Sequence, residues 1–290
     1  MLHLRKANRK KSKIRLALQG PSGAGKTYSA LLVAFGLCND WSRIAVVDTE
    51  SNSADLYSHL GSFNVLNLSE PFTPEKYIEA IKLCENSGCE VIIIDSISHE
   101  WEGLGGILDS HSKIAGNSFV NWAKVTPRHN AFIQAMLQSS CHVLATIRTK
   151  HDYVISQKDG KAVPEKIGLK AIQRDNVEFE FTVVFDLDMK NNASATKDRS
   201  RLFFGKPEQK LSAETGKQIL VWCNEGTDSD QEINDILAKV QAASTVDELI
   251  ALYKANPIYQ QKLLSEFTKR RNDLQTSFTD LKSIENGTIK

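Results

Sequence analysis

Over the first two-thirds of the chain, short apolar runs alternate with longer stretches of helical spacing. Ile14–Leu18 is the first apolar run, and it meets the turn Gly20-Pro21-Ser22-Gly23; after Lys26, residues Tyr28–Leu37 are helix-forming. Ile44–Val47 reads as a buried strand closed by Asp48-Thr49-Glu50, and Val65–Leu68 as a short one. Pro74–Cys84 has helical periodicity behind Thr73, a suitable N-cap. Val91–Ile94, closed by Asp95, is the cleanest strand; a mixed helical region follows to about Ser139, with Pro127 placed as the first residue of a helix, and then strand His142–Ile147. Buried strands alternating with helices predict an α/β fold, a mostly parallel sheet with helices on both faces.

Residues 149–175 break this rhythm: a hairpin is signalled at Lys158-Asp159-Gly160-Lys161, and six cations (Lys150, Lys158, Lys161, Lys166, Lys170, Arg174) face four acids. A connection this long in a compact domain usually carries function. Strands are expected at Phe179–Leu187 and Arg201–Phe204. The stretch Asn224-Glu225-Gly226-Thr227-Asp228-Ser229-Asp230 reads as a linker, and beyond it Ile233, Ile236, Leu237 and Val240 have helical spacing. Val246, Leu249, Ile250 and Tyr253 repeat that spacing behind a Thr245-x-x-Glu248 capping box, and a third helix is expected over about Pro257–Leu274. The organisation is a basic arm (1–13), an α/β domain (14–225), a linker (226–231) and a small helical module (232–290).

The 290 residues carry 36 Lys or Arg against 35 Asp or Glu, which excludes a strongly basic whole-protein field, so any grip on nucleic acid must come from local patches. Five cysteines without a C-x-x-C pair read as reduced thiols of a cytoplasmic protein, and no apolar run reaches the length of a membrane span.

Gly20-Pro21-Ser22-Gly23-Ala24-Gly25-Lys26-Thr27 fits G-x-x-x-x-G-K-[ST], with a strand before it and helix material from Tyr28 after it. Glycines let backbone N–H groups close on phosphate oxygens, Lys26 reaches the outer phosphates and Thr27 ligates Mg²⁺, so ATP and Mg²⁺ are the expected cofactors. Asp95, at the carboxyl end of its strand, is the second Mg²⁺ residue, acting through a water. Ser96, not a glutamate, follows it. The base that activates water is then sought elsewhere: Glu50 at the same sheet edge is the candidate, Glu100 the rival. Arg148 and Lys150, at the end of another strand, could sense phosphate. Trp101 and Trp122 read as buried aromatic anchors, with base stacking as the alternative.

The order G-P-S-G-A-G-K-T, V-V-D-T-E-S and I-I-I-D-S-I-S resembles the RecA-type recombinase core, more narrowly the short phage-encoded RecA-like ATPases that assist single-strand annealing. Further pieces of the resemblance are the segments His142–Lys150, Phe179–Leu187, Ala195–Arg201 and Glu214–Trp222, so that it spans about residues 12–225. The resemblance implies that Glu50 activates water, that Lys197 and Arg199 reach the γ-phosphate of a neighbouring subunit in an ATP-dependent homo-oligomer, and that Asp55 and Tyr57 contact adenine. It also implies that the 149–175 loop, with Lys150, Lys158, Lys161, Lys166 and Lys170, binds single-stranded DNA. The expected function is a Mg-ATP-hydrolysing, RecA-like ATPase acting on single-stranded DNA in phage-type recombination, in a bacterial host cytoplasm, with the helical module a candidate binder of a single-strand-binding protein. The alternative is a nucleotide-gated regulatory module with little turnover and no DNA contact; a small-molecule kinase is weaker, because the 149–175 loop holds one arginine.

Overall fold

The computed structural model describes residue 9 and residues 11–285 apart from 159–160, 226–228 and 258; for 153–158, 161–167, 229–232 and 276–285 it describes the backbone alone. Two compact units divide the chain, one of residues 13–223 and one joining 1–12 to 224–290.

In the larger unit the elements run β1 (Arg15–Gly20), α1 (Lys26–Cys38), β2 (Ile44–Asp48), β3 (Asn64–Asn67), α2 (Pro74–Asn86), β4 (Val91–Asp95), α3 (Ser98–Glu102), α4 (Ile107–Ser112) and α5 (Ser118–Gln138). Then come β5 (His142–Lys158), β6 (Lys161–Ala171), β7 (Val183–Leu187), β8 (Ala193–Asp198) and α6 (Ala213–Asn224). Among the described residues one sheet runs β3-β2-β4-β5-β1-β7-β8, with β6 hanging from β5. From β3 to β7 neighbours are parallel, and β8 pairs antiparallel at the edge.

Alternation feeds two cores. Val91 and Ile93 join Leu16, Leu18 and α1 residues such as Leu31 and Leu37 on one face of the sheet. Ile92 and Ile94 join Ala17, Tyr77, Ile81 and Phe132 on the other. Every residue of β4 is buried, which a strand covered on both sides requires. Thr73 caps α2 through Lys76 N–H at 3.4 Å, and Tyr77, Ala80, Ile81 and Cys84 form its buried stripe. Helices α1 and α6 touch backbone to backbone: a β-carbon on Gly36 would lie 1.9 Å from the Ala213 carbonyl oxygen, and one on Gly216 would lie 2.1 Å from that of Val33.

The expectations for Pro127, for residues 201–204 and for the strand from Phe179 need correction. Pro127 lies inside α5 instead of opening a helix. The missing N–H costs about 3 kcal/mol, and burial of Val125, Phe132, Ile133 and Met136 on both sides of it keeps the helix running. Residues 201–204 form no strand: the Asp198 carboxylate accepts backbone N–H groups of Ser200 (2.7 Å), Arg201 (3.1 Å), Phe203 (2.7 Å) and Phe204 (3.1 Å), winding the segment into a turn. The strand expected from Phe179 begins at Val183, after a 3₁₀ turn over Val177–Glu180.

At the lower, amino-terminal end of the sheet Arg15 is almost fully buried. Its guanidinium donates to the carbonyls of Ile14 (3.0 Å), Leu137 (3.0 Å), Ser139 (2.5 Å) and Cys141 (2.8 Å), closing the carboxyl end of α5. Beside it the buried His142 accepts the Ile14 N–H on Nδ1 at 3.1 Å.

The smaller unit holds α7 (Ser229–Ala242), α8 (Val246–Ala255) and α9 (Leu264–Glu285). The helix expected from Pro257 starts at Leu264, and α7 begins inside the expected linker. The Thr245–Glu248 capping box forms, and Ile236, Val240, Leu249, Leu263 and Phe267 make a separate small core. Of the basic arm, only residue 9 and residues 11–13 fall within the described residues.

Candidate nucleotide site

Register places the chemistry at the carboxyl end of the parallel strands, where open α/β sheets hold ligands. Asp48 pairs with Asp95 across β2 and β4, and Gly20 with Arg148 across β1 and β5. The loop between β1 and α1 needs its glycines: Gly23 and Gly25 have φ of +85° and +77°, and a β-carbon on Gly20 would lie 2.7 Å from the Leu187 carbonyl oxygen. Gly25 is also the N-cap of α1, so the free N–H groups and positive dipole end of that helix face the loop.

Lys26 is buried, and its Nζ donates to the carbonyls of Gly20 and Pro21, both at 2.9 Å. Burial pushes its ammonium below the ordinary lysine range, opposed by the attraction of Asp95 and Glu50 and aided by Arg148. Thr27 Oγ1 donates to Asp95 Oδ2, and Thr146 Oγ1 donates to Asp95 Oδ1, each at 2.5 Å. Burial pushes the Asp95 carboxyl up; the two hydroxyls oppose this, and nearby Glu50 and Asp48 add to it.

This donor set fits a Mg-nucleotide. A threonine hydroxyl and one buried carboxylate, crowded by two more, suit a hard cation that keeps waters and takes its other ligands from phosphates. Thr27 and Asp95 would hold the ion, and residues 20–27 the phosphates. Among the described residues no group of three or more His, Cys, Asp or Glu side chains is arranged to hold a metal by itself.

Asp48 builds the loop that carries Glu50. Its Oδ1 accepts the Glu50 N–H at 2.6 Å and its Oδ2 the Ala54 N–H at 2.8 Å, while Ser51 and Asn52 take positive φ between them. Glu50 Oε1 accepts from Ser96 Oγ at 3.0 Å, so the residue after Asp95 orients the candidate base. Thr49 Oγ1 accepts the Ser96 N–H at 2.8 Å and lies 2.8 Å from His99 Nδ1, and His99 Nε2 is 3.3 Å from Arg148 Nη1. Strands β2, β4 and β5 are thereby joined at their ends by side chains.

Glu100 sits elsewhere. It is fully buried on α3 and hydrogen-bonded to His129 Nδ1 at 3.1 Å and Gln173 Nε2 at 3.2 Å, with no bond to the residues of the phosphate cradle among the described residues. Tyr57 and Tyr28 come together, ring centroids 5.8 Å apart, with Asp55 exposed in the same 3₁₀ turn, Ser53–Leu60. Lys197, on the edge strand β8, is level with Val184 near the amino end of β7 and donates to the Phe179 carbonyl; Arg199 N–H donates to the Thr182 carbonyl at the sheet end opposite the phosphate loop. Neither belongs to this chain's own phosphate cradle. Lys150 and Lys170 pair with Glu102 (3.5 Å) and Asp175 (2.9 Å), while the side chains of Lys158, Lys161 and Lys166 lie outside the described residues. Trp101 and Trp122 are half-buried and line a cavity, where the sequence led us to expect buried anchors.

Asp48, Thr49, His99 and Thr146 escaped the sequence reading. Asp48 and Thr49 had a signal, sharing the strand end with Glu50; the roles of His99 and Thr146 depend on cross-strand register.

A family profile described as an AAA domain matches residues 12–219. The chain belongs to this AAA-domain family of P-loop ATPases. The fold agrees: the AAA-domain chain has the mostly parallel, helix-flanked sheet of a P-loop NTPase, and its domain is of a nucleotide-binding kind. No curated protein is a significant match to the chain. Among the described residues no helix is long and apolar enough to cross a membrane.

Proposed function

We propose that this AAA-domain protein is a RecA-like, Mg-ATP-hydrolysing ATPase that acts on single-stranded DNA in phage-type recombination or annealing, in the cytoplasm of a bacterial host. The observation that carries the reading is the course of β5: it lies beside β1 at Gly20 and Arg148 and runs on, unbroken, into the basic β5–β6 hairpin. One strand thus connects the phosphate loop to a candidate DNA contact.

In this mechanism the loop amides and Lys26 bind the phosphates. Glu50, oriented by Ser96 Oγ, takes the proton of the attacking water at a carboxylate oxygen. Glu100 is a poor base because its carboxylate is sealed under His129 and Gln173. Mg²⁺, when bound through Thr27 and Asp95, neutralises charge on the phosphates. Tyr28, Tyr57 and Asp55 would flank the base of ATP. Lys197 and Arg199, away from their own phosphate loop, would serve a neighbouring subunit's nucleotide in a homo-oligomer. The helical unit is the candidate surface for a single-strand-binding protein.

The pairing of Lys150 with Glu102 and Lys170 with Asp175 supports a second reading, a nucleotide-gated module without DNA contact. ATP hydrolysis measured with and without single-stranded DNA at two salt concentrations separates the two. Stimulation by DNA that fades with salt is expected; a rate indifferent to DNA and to salt would leave only the second.

A further inference from the structure

Beside the hairpin root lies a cavity of about 640 Å³, within the size range of small-ligand sites. Trp101 and Trp122 form one wall with Thr126, and Lys150, Lys170 and Arg174 lie on the others. The two indoles are nearly parallel, 20° apart with centroids at 6.0 Å, and the His111 ring lies against that of Trp122 at 4.2 Å. Below, His129 meets Trp101 edge-on at 5.4 Å and is itself held by buried Glu100, so the aromatic wall stands on a fixed base.

From this cavity we infer a nucleotide subsite: one unstacked base of a single DNA strand packs against the Trp101–Trp122 wall while its flanking phosphates are held by Lys150, Lys170 and Arg174. The inference rests on the single-stranded DNA reading above and gives it an address at the hairpin root. Indole faces accept any base, so the site is tolerant of sequence. The partners of the three cations are exchangeable. Glu102 and Asp175 are solvent-exposed acids, and Asn130 Oδ1 accepts from Arg174 Nη1 at 3.2 Å. Exposed ion pairs of this kind are worth at most about 1 kcal/mol, so a phosphate can displace them. Lys150 also lines a second cavity with Pro21 of the phosphate loop, so the base wall and the nucleotide site share a side chain.

The test uses the full chain with Mg-ATP and a labelled dT20 oligonucleotide, followed by fluorescence anisotropy. A same-length abasic strand serves as control. Wild type should bind dT20 and bind the abasic strand much more weakly; Trp122→Leu should weaken dT20 binding about 5- to 100-fold, with Trp122→Phe restoring most of it. In a Trp41→Phe/Trp222→Phe chain, which keeps only the paired indoles, dT20 should quench the intrinsic fluorescence. If wild type binds no DNA at all, the single-stranded DNA reading fails and this site with it. If it binds dT20 and the abasic strand alike, or binds dT20 without quenching the paired indoles, the contact is charge alone and the subsite is overturned while the wider reading stands. Loss in Trp122→Leu counts only if that variant still unfolds cooperatively; should it not, the quenching and abasic results decide.

Discussion

The two ends of one sheet each bury a cation among backbone carbonyls, to opposite purposes. At the lower end the Arg15 guanidinium spends its donors on the carbonyls of Ile14, Leu137, Ser139 and Cys141. At the upper end Lys26 rests on the carbonyls of Gly20 and Pro21, the loop that would receive phosphates. A planar fork with fixed geometry suits a permanent joint; a flexible ammonium on a long stem can trade its partners for a ligand. The lower end is therefore built for stability, and the upper end carries groups held in readiness for chemistry.

That contrast can be broken or sharpened by substitution. The largest effect is expected at Glu50→Gln. Turnover should fall about 10²- to 10⁴-fold in steady-state ATPase assays, with nucleotide binding retained; a normal rate would remove Glu50 as the base. Next, Arg15→Met leaves buried carbonyls without donors, at a cost of about 3 kcal/mol or more, seen as a melting temperature lower by roughly 6–12 °C. Lys26→Ala should do the reverse: weaken ATP binding roughly 10- to 100-fold in a titration with a fluorescent ATP analogue, yet leave the melting temperature within a few degrees. If these two variants behaved alike, the division of labour between the ends would be wrong.

A last test is a pH slope from His142, whose effect is smallest near neutral pH and grows as the solution is acidified. Burial, with lesser contributions from Lys13 and Arg15, lowers its pKa to about 3 from an ordinary 6.5, so the folded chain keeps it neutral while the unfolded chain protonates it. The stability this provides is complete above pH 6.5 and is lost as pH falls toward 3, at up to about 1.4 kcal/mol per pH unit. Denaturant midpoints measured across that window should flatten in His142→Gln, and an unchanged slope would assign the acid sensitivity to other groups.

Much of this was legible before any coordinates. The buried strands and the phosphate loop announce themselves because a strand covered on both faces must be continuously apolar, as Val91–Ile94 is, and because only glycine tolerates the loop's backbone. The pairing of β5 with β6 was marked in the sequence by the Asp159-Gly160 pair between them. Contacts between segments distant in sequence were not legible. Nothing local says that Asp198 will gather four amides, that α5 will run through Pro127, or that Glu100 will be sealed beneath His129 and Gln173. Arg15 stood inside the first apolar run with nothing local to mark its role, and only the arrival of the end of α5 beside it makes it a joint.

The contact between Gly36 and Gly216 fixes α1 against α6. With their backbones touching, α1 and α6 form a backstop behind the phosphate loop, and a single added methyl on either would pry them apart. A nucleotide seated at the amino end of α1 would meet a helix braced along its far half, and a Gly36→Ala chain should loosen that brace.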